Sequence, residues 1–136
     1  SFYGDEQLPA FAQGCKLLIN LLPNTPHTQG ILNSRLFAWL QPQAYLINLG
    51  RGRHLVDGDL LTALDSGQLA AATLDVFVEE PMPRMHPFWS HPRVSITPHI
   101  GADTLPAEAM DSIVANIQAI EAGRTPSGLV DRTRGY

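Results

Sequence analysis

The sequence predicts an α/β fold, the second half of a doubly wound parallel sheet. Four short apolar runs rich in branched residues indicate strands covered on both faces, which is typical of parallel sheets. Helical segments lie among these runs and after the last one, and this alternation predicts right-handed crossovers. Apolar types make up 44% and charged types 16% of the 136 residues, so the chain can bury one core.

The four predicted strands are each bounded by turn-forming residues. They cover Lys16–Leu22, Ala44–Leu49, Ala71–Val76 and Val94–Thr97. Their apolarity is nearly continuous rather than alternating, so we expect helices on both sides of the sheet.

Three helices are predicted from capping residues and apolar spacing. The first, Asn33–Leu40, begins with capping residues and stops before a Gln-Pro pair. The second, Asp57–Ser66, has Asp57 at its N-cap and Gly67 as its terminator. The third, Pro106–Ala122, carries the apolar stripe of an amphipathic helix and ends at a glycine.

Two features predict that this sheet is only part of a domain. No G-x-G-x-x-G loop is found, because the segment 50–52 supplies only the first two glycines and no helix is expected directly behind it. A four-stranded half-sheet would also leave one central strand unpaired at an edge. We therefore expect the C-terminal portion of a longer protein. Residues 1–123 would form the second half of a nucleotide-binding domain, and the polar tail 124–136 would leave it.

Charge and composition exclude several classes of protein. The net charge of -4 argues against a general nucleic-acid binder and against an electrostatic membrane anchor. No apolar run approaches the roughly 20 residues of a membrane-spanning helix, and no secretory signal is visible. The single cysteine, Cys15, excludes a disulfide framework and a multi-cysteine zinc site, which favours a soluble protein in a reducing compartment.

Polar residues follow successive predicted strands at their carboxyl ends. Arg51 follows the second strand, Asp75 lies at the end of the third with Glu80 shortly after it, and His99 follows the fourth. Because ligands bind at the carboxyl ends of open parallel sheets, these side chains are expected to converge on one crevice. An arginine can bind a carboxylate bidentately, and a histidine beside an acid can deliver a proton near neutral pH. The pattern therefore favours a carboxylate-bearing substrate.

Each of these residues also has a structural interpretation. Arg51 could neutralise a strand-end carbonyl or an acid. His99 could be a satisfied structural histidine, and Asp75 could only cap a loop. Glu80 and Glu79 could be a solvated surface pair.

The remaining histidines and the cysteine carry no predicted chemistry. His86 and His91 lack metal-ligand spacing, so a structural or solvent-exposed role is expected and no metal site is predicted. His27 and His54 have no readable role, and Cys15 is expected to be a small buried apolar residue.

Three motifs occur in order and carry a family resemblance. LINLGRGRHLVDGDLLTAL, LAAATLDVFVEEP and HPRVSITPHIGA resemble the N-x-x-R-G, D-V-F-x-x-E-P and T-P-H patterns of the D-isomer-specific 2-hydroxyacid dehydrogenase family. The resemblance covers residues 16–123. It implies a Rossmann-like NAD(P)-binding domain in an enzyme that transfers hydride between a nicotinamide and a 2-oxo acid.

The resemblance implies roles for three catalytic residues. Arg51 matches the arginine that holds the substrate carboxylate, and His99 matches the histidine that protonates the carbonyl oxygen. Glu80 matches the acid that orients and charges this histidine.

The resemblance also implies four cofactor-binding residues. Asp75 matches an aspartate that contacts the nicotinamide carboxamide, and Pro23, Leu49 and Gly101 match positions that line the cofactor. The pair Leu49-Gly50 departs from the family's frequent Thr-Ala or Thr-Ser, so any contact made by that threonine is absent.

A narrower similarity concerns the segment His86–Val94 and the terminal VDRTRGY, which resemble a subgroup of the family that reduces glyoxylate and hydroxypyruvate. The family resemblance implies NADP or NAD as the cofactor and a homodimer of the full-length protein, and the narrower similarity favours NADPH. The reducing compartment expected from the single cysteine predicts a cytoplasmic location. The residue that selects NAD or NADP is expected upstream of this sequence.

Two rival interpretations stay open. A cofactor-sensing or corepressor-like module of the same fold would bind without turnover, although an intact Arg51, Glu80 and His99 set speaks against it. An isolated fragment would instead self-associate through its unpaired strand or apolar face.

Overall fold

The computed structural model of the chain describes residues 4–102 and 104–133. The chain divides into two compact units, Ser1–Gly101 and Ala102–Tyr136. The first unit contains a sheet and the second contains one long helix. The assignment of all residues up to 123 to one domain stays a prediction.

The first unit is built on a four-stranded parallel sheet whose strand order follows the chain. Its strands are β1 Leu17–Asn20, β2 Ala44–Asn48, β3 Leu69–Leu74 and β4 Val94–Ile96. All four predicted strands and the predicted fold class are therefore confirmed, with shorter strand ends. Only β3 begins earlier than predicted, because Leu69 pairs with Ala44 ahead of a register shift.

Two of the predicted helices lie in this unit. Helix α2, Ser34–Trp39, is capped as predicted, since Oδ1 of Asn33 accepts a hydrogen bond from the amide of Leu36 at 3.1 Å. Helix α3, Asp57–Asp65, ends before Gly67, whose φ of 75° lies in the left-handed region.

The predicted N-cap of α3 is wrong. Val56 occupies that position with extended backbone, and Asp57 is the first helical residue. The Asp57 carboxylate instead lies 3.2 Å from Nε2 of His86, so its side chain faces a neighbouring loop rather than the amides of its own helix.

Several short elements escape prediction. Helix α1, Leu8–Ala12, has only five residues, which is too few for a recognisable period. Single 3-10 turns occur at Asp5–Gln7, Gly52–His54 and Pro87–Trp89. The second of these turns begins at Gly52, the last residue of the Gly50-Arg51-Gly52 segment, where the sequence predicts no helix.

The core lies on one face of the sheet, between the strands and the helices. Leu18 and Leu46 point into it, and Leu60, Leu64 and Leu69 are fully buried. Complete burial of one such side chain contributes about 1.5–3 kcal/mol relative to exposure. These contacts fix the strands, and the strands place the loops at their carboxyl ends.

The opposite face of the sheet is open within this unit. Leu17, Ile19 and Tyr45 are about half exposed there, at 50%, 49% and 53%. The expectation that both faces are covered is therefore not met for β1 and β2 in this unit, because their alternate side chains point away from the core. In the sheet, β1 pairs only with β2, so it forms the predicted free edge.

The second unit consists of helix α4, Pro106–Glu121, and the segment that follows it. The predicted helix is confirmed, and Gly123 follows it with a φ of 69°. Asn116 binds Ser127 of the tail through three hydrogen bonds of 2.9–3.2 Å. The departure of the tail 124–136 stays a prediction, and its last three residues lie outside the described residues.

No helix among residues 4–102 and 104–133 is both long and apolar enough to cross a lipid bilayer.

Candidate active site

The loops that follow β2, β3 and β4 meet at the carboxyl edge of the sheet. They enclose a cleft of about 230 Å³ whose lining includes Arg51, Glu80 and His99. The structure thus brings the three predicted catalytic side chains to one cavity. Asn24, Arg53 and Phe77 are further lining residues.

Glu80 and His99 are in direct contact in this cleft. Oε2 of Glu80 lies 2.8 Å from Nδ1 of His99, and Oε1 accepts a hydrogen bond from the amide of Phe77 at 2.8 Å. The hydrogen bond to His99 is the main reason that the pKa of Glu80 lies below its usual range, and the Phe77 amide adds to it. Both side chains keep substantial exposure, at 37% for Glu80 and 48% for His99. The pair can therefore exchange protons with a ligand in the cleft.

Asp75 organises the loop that carries His99. Its carboxylate is 2% exposed, and it accepts hydrogen bonds from Oγ1 of Thr97 at 2.5 Å and from the amides of Ile100 and Gly101 at 2.9 and 2.8 Å. Burial alone would raise the pKa of Asp75, but these three donors and the electrostatic effect of His99 together outweigh it and lower the pKa. His99 lies inside this loop with a positive φ of 55°, a conformation that needs support from its surroundings.

Arg51 occupies the loop after β2. Its guanidinium Nη1 donates to the carbonyl of Gly50 at 2.7 Å, and the residue is exposed toward the cleft. Gly52 follows it in very close contact with the loop after β3. A Cβ at Gly52 would lie 1.9 Å from the carbonyl carbon of Phe77, so only glycine fits there. This contact joins the loop of Arg51 to the loop of Glu80.

A buried polar cluster lies beneath Arg51 and was missed by sequence reasoning. It consists of Asn20, Asn48 and His54, which are 4%, 0% and 0% exposed. Nδ2 of Asn20 lies 2.8 Å from both Oδ1 of Asn48 and Nδ1 of His54. The available signal was the asparagine that ends each of two apolar strands, and Asn20 and Asn48 are indeed partners in the register.

The predicted cofactor-binding residues lie in two places. Three of them are neighbours, because a Cβ at Gly101 would lie 2.8 Å from both Oδ2 of Asp75 and Cδ2 of Leu49. Pro23 is exposed in the loop after β1, where its carbonyl accepts a hydrogen bond from Oγ1 of Thr28 at 2.7 Å.

A second recess borders the same histidine. This apolar recess has a volume of about 280 Å³, and His99 and Glu80 form its polar side. Trp89 lies at its rim, 55% exposed, with Nε1 donating to the carbonyl of Pro83 at 2.9 Å. The apolar lining residues are Phe77, Pro81, Met82, Trp89, Ile96 and Pro98.

Two further histidines, in the segment between β3 and β4, contact helix α3. His86 lies 3.2 Å from Asp57, and His91 lies 3.3 Å from Asp65. In the part of the chain that the structure describes, no group of three His, Cys, Asp or Glu side chains could hold a metal ion.

Comparison with known proteins identifies the family. Residues 2–101 match the sequence profile described as D-isomer specific 2-hydroxyacid dehydrogenase, NAD binding domain. The chain is 68% identical over its whole length to a glyoxylate/hydroxypyruvate reductase A of Yersinia enterocolitica. It spans 44% of the length of that relative.

Two solved structures are similar to the chain. One is a D-isomer specific 2-hydroxyacid dehydrogenase of Xanthobacter autotrophicus Py2 in complex with NADPH and MES, at a TM-score of 0.95 and 42% identity. The match covers 99% of this chain and 56% of that one. The other is an NADPH-dependent glyoxylate/hydroxypyruvate reductase of Sinorhizobium meliloti in complex with NADP and sulfate, at 0.91 and 38%. There the match covers 98% of this chain and 44% of that one.

The family resemblance carried by the three motifs is thereby confirmed. Because the matched profile extends over most of the sequence, the chain belongs to the D-isomer specific 2-hydroxyacid dehydrogenase family and carries part of its NAD-binding domain.

Proposed function

We propose that this chain is the C-terminal part of an NAD(P)H-dependent reductase that converts glyoxylate and hydroxypyruvate to glycolate and glycerate. The observation that carries the proposal is the single cleft lined by Arg51, Glu80 and His99. The Yersinia and Sinorhizobium proteins, whose names specify this activity, are 68% and 38% identical to the chain. The chain spans less than half of the Yersinia relative, so the activity is assigned to the longer polypeptide.

In this proposal Arg51 binds the substrate carboxylate. A guanidinium offers a rigid pair of donors that matches a carboxylate and keeps its charge at all physiological pH values. The close contact of Gly52 with Phe77 holds the arginine loop beside the Glu80 loop. The substrate carbonyl would thus be held near the histidine.

His99 is the proposed proton donor. Glu80 occupies its Nδ1, so Nε2 is the ring nitrogen left to protonate the carbonyl oxygen of the substrate. The hydrogen bond to His99 lowers the pKa of Glu80, so the carboxylate is ionised and holds the ring through this contact. After the proton has left, the same contact keeps the ring in place for reprotonation.

The cofactor would supply the hydride, and the residues present fit a nicotinamide. Leu49 offers a half-buried apolar surface, Gly101 lets the loop after β4 pack directly against Leu49 and Asp75, and Pro23 lies exposed in the loop after β1. Asp75 already accepts three hydrogen bonds, and two carboxylate oxygens offer about four acceptor positions. The proposed contact with the carboxamide N–H would use the remaining position. NADPH is the proposed cofactor, since the Xanthobacter and Sinorhizobium structures are described with NADPH and NADP.

The proposal includes a homodimer in a cytoplasmic, reducing compartment. The single cysteine and the net charge of -4 are compatible with that location. The dimer rests on family resemblance.

The test is oxidation of NADPH and NADH with glyoxylate and with hydroxypyruvate by the full-length polypeptide that contains this chain. Arg51→Ala and His99→Ala are each expected to lower kcat/KM about 100-fold or more, to a residual but measurable rate, whereas the exposed controls Arg84→Ala and His27→Ala leave it unchanged. This chain alone is expected to be inactive. A full-length polypeptide that binds NADPH but reduces neither acid would favour the sensing module instead.

A further inference from the structure

His54 is a fully buried histidine that the proposed reaction does not use. Its Nδ1 lies 2.8 Å from Nδ2 of Asn20 and 3.2 Å from the backbone nitrogen of Arg51. An asparagine NH2 group and a backbone amide are both donors, so Nδ1 must act as an acceptor. The ring is therefore neutral, with its proton on Nε2.

The surroundings of His54 favour this neutral form. Burial is the main cause that lowers the pKa of His54, and the guanidinium of Arg51 lowers it further. The carbonyl of Pro23 acts in the opposite direction. Nε2 has no hydrogen-bond partner of normal geometry among the residues described.

The cluster holds both polar groups of the Arg51 backbone. Nδ1 of His54 accepts from its amide, and Nδ2 of Asn48 donates to its carbonyl at 3.4 Å. Oδ1 of Asn48 also accepts from the amide of Gly50 at 3.2 Å. A Cβ at Gly50 would lie 2.6 Å from Asn20 and 2.8 Å from His54, so the loop is pressed against the cluster.

We propose that His54 is a positioning residue for Arg51, acting as a neutral hydrogen-bond acceptor beneath the arginine loop. The proposal rests on the proposed function in one respect, the binding of the substrate carboxylate by Arg51. Nη1 of Arg51 bonds the carbonyl of Gly50, within the same loop, so a shift of the loop backbone moves the guanidinium with it. His54 thereby sets the affinity for the 2-oxo acid without touching it.

The test uses two substitutions of His54 in the full-length polypeptide. His54→Leu fills a similar volume but removes the acceptor, and it is expected to raise the KM for glyoxylate about tenfold, because the part-buried amide of Arg51 loses its partner and the arginine loop shifts. The KM for NADPH is expected to change less. His54→Asn places an amide oxygen where Nδ1 lies, and it is expected to restore most of the affinity. Leu60→Ala, a buried control in α3, should lower stability without changing either KM.

A double-mutant cycle separates positioning from general stability. In an Arg51→Ala background, His54→Leu is expected to change kcat/KM less than twofold, because the residue on which it acts is gone. An equal effect of His54→Leu in both backgrounds, or equal KM values for the Leu and Asn variants, would overturn the proposal.

A spectroscopic measurement keeps this test separate from the test of the reductase activity. Nitrogen NMR shifts of His54 should show an unprotonated Nδ1 and a protonated Nε2 in the unmutated polypeptide at neutral pH. A protonated Nδ1 would overturn the proposal even if the enzyme is active. If neither acid is reduced, the proposed function fails, while the tautomer still decides whether His54 can accept from Arg51.

Discussion

Glu80 and His99 bind each other from two different strand ends, with Oε2 of the acid 2.8 Å from Nδ1 of the histidine. The other carboxylate oxygen is fixed by the amide of Phe77, in the same loop as Glu80. The orientation of the imidazole is thus determined by the backbone that follows β3, although the histidine itself follows β4.

Replacement of this acid should affect proton transfer more than substrate binding. Glu80→Gln replaces the carboxylate that lies 2.8 Å from Nδ1 of His99 by a neutral amide, so the ring loses its charged orienting partner. We expect kcat at neutral pH to fall about 10- to 100-fold, with a smaller change in KM for glyoxylate. The exposed neighbour variant Glu79→Gln is the control, and equal kcat values for both variants would contradict this role.

The arginine of the cleft should be sensitive even to a conservative change. Arg51→Lys keeps the charge but loses the planar pair of donors, and the KM for glyoxylate is expected to rise about tenfold with little change in the KM for NADPH. Arg53 lines the same cleft, so Arg53→Lys is the comparison. A larger effect from Arg53→Lys would move the carboxylate-binding role to that residue.

Asp75 should make a pH-dependent contribution to stability. Its pKa is lower in the folded chain than in the unfolded chain, so the stabilisation is complete well above about pH 4 and is lost as the pH falls below that value. Asp75→Asn is expected to cost about 1–3 kcal/mol of unfolding free energy at pH 7, since its NH2 group cannot accept from an amide.

Denaturant unfolding of the full-length polypeptide and its Asp75→Asn variant at pH 7 and pH 3.5 checks this expectation. The difference between the two proteins should shrink at the lower pH. A constant difference would contradict the assigned ionisation.

Gly52 should tolerate no side chain. Gly52→Ala would place its Cβ 1.9 Å from the carbonyl carbon of Phe77, which belongs to rigid backbone, and overpacking of this kind costs about 1–3 kcal/mol or more. The matched control is Gly58→Ala in α3, where no atom lies within 4 Å and alanine favours the helix by about 1 kcal/mol. Thermal unfolding should show a lower Tm for the first variant and an unchanged or higher Tm for the second.

The sheet could be predicted because its signal is local. The apolar runs at β1 to β4 and the cap at Asn33 depend on neighbouring residues, and both were confirmed. The gathering of Arg51, Glu80 and His99 follows from the rule for parallel strand ends, and the structure brings these side chains to one cleft. Their catalytic roles stay a prediction.

The features that could not be predicted depend on contacts between distant segments. Asp57 lies in the first turn of α3 without capping it, because its carboxylate contacts His86 instead. That histidine is 29 residues away in sequence, so local spacing could not indicate the contact. His54 had no readable role, since its partners Asn20 and Arg51 meet it only when β1 and β2 pair.

The indole at the rim of the apolar recess gives the protein an internal optical reporter. Trp89 is held by its hydrogen bond to Pro83 and shares the recess with His99, whereas Trp39 stacks with Arg35 in helix α2. The emission of Trp89 therefore responds to changes in charge or water content around the histidine. With Trp39→Phe, Trp89 is the only tryptophan left among these 136 residues, so their tryptophan emission comes from this recess without any attached dye.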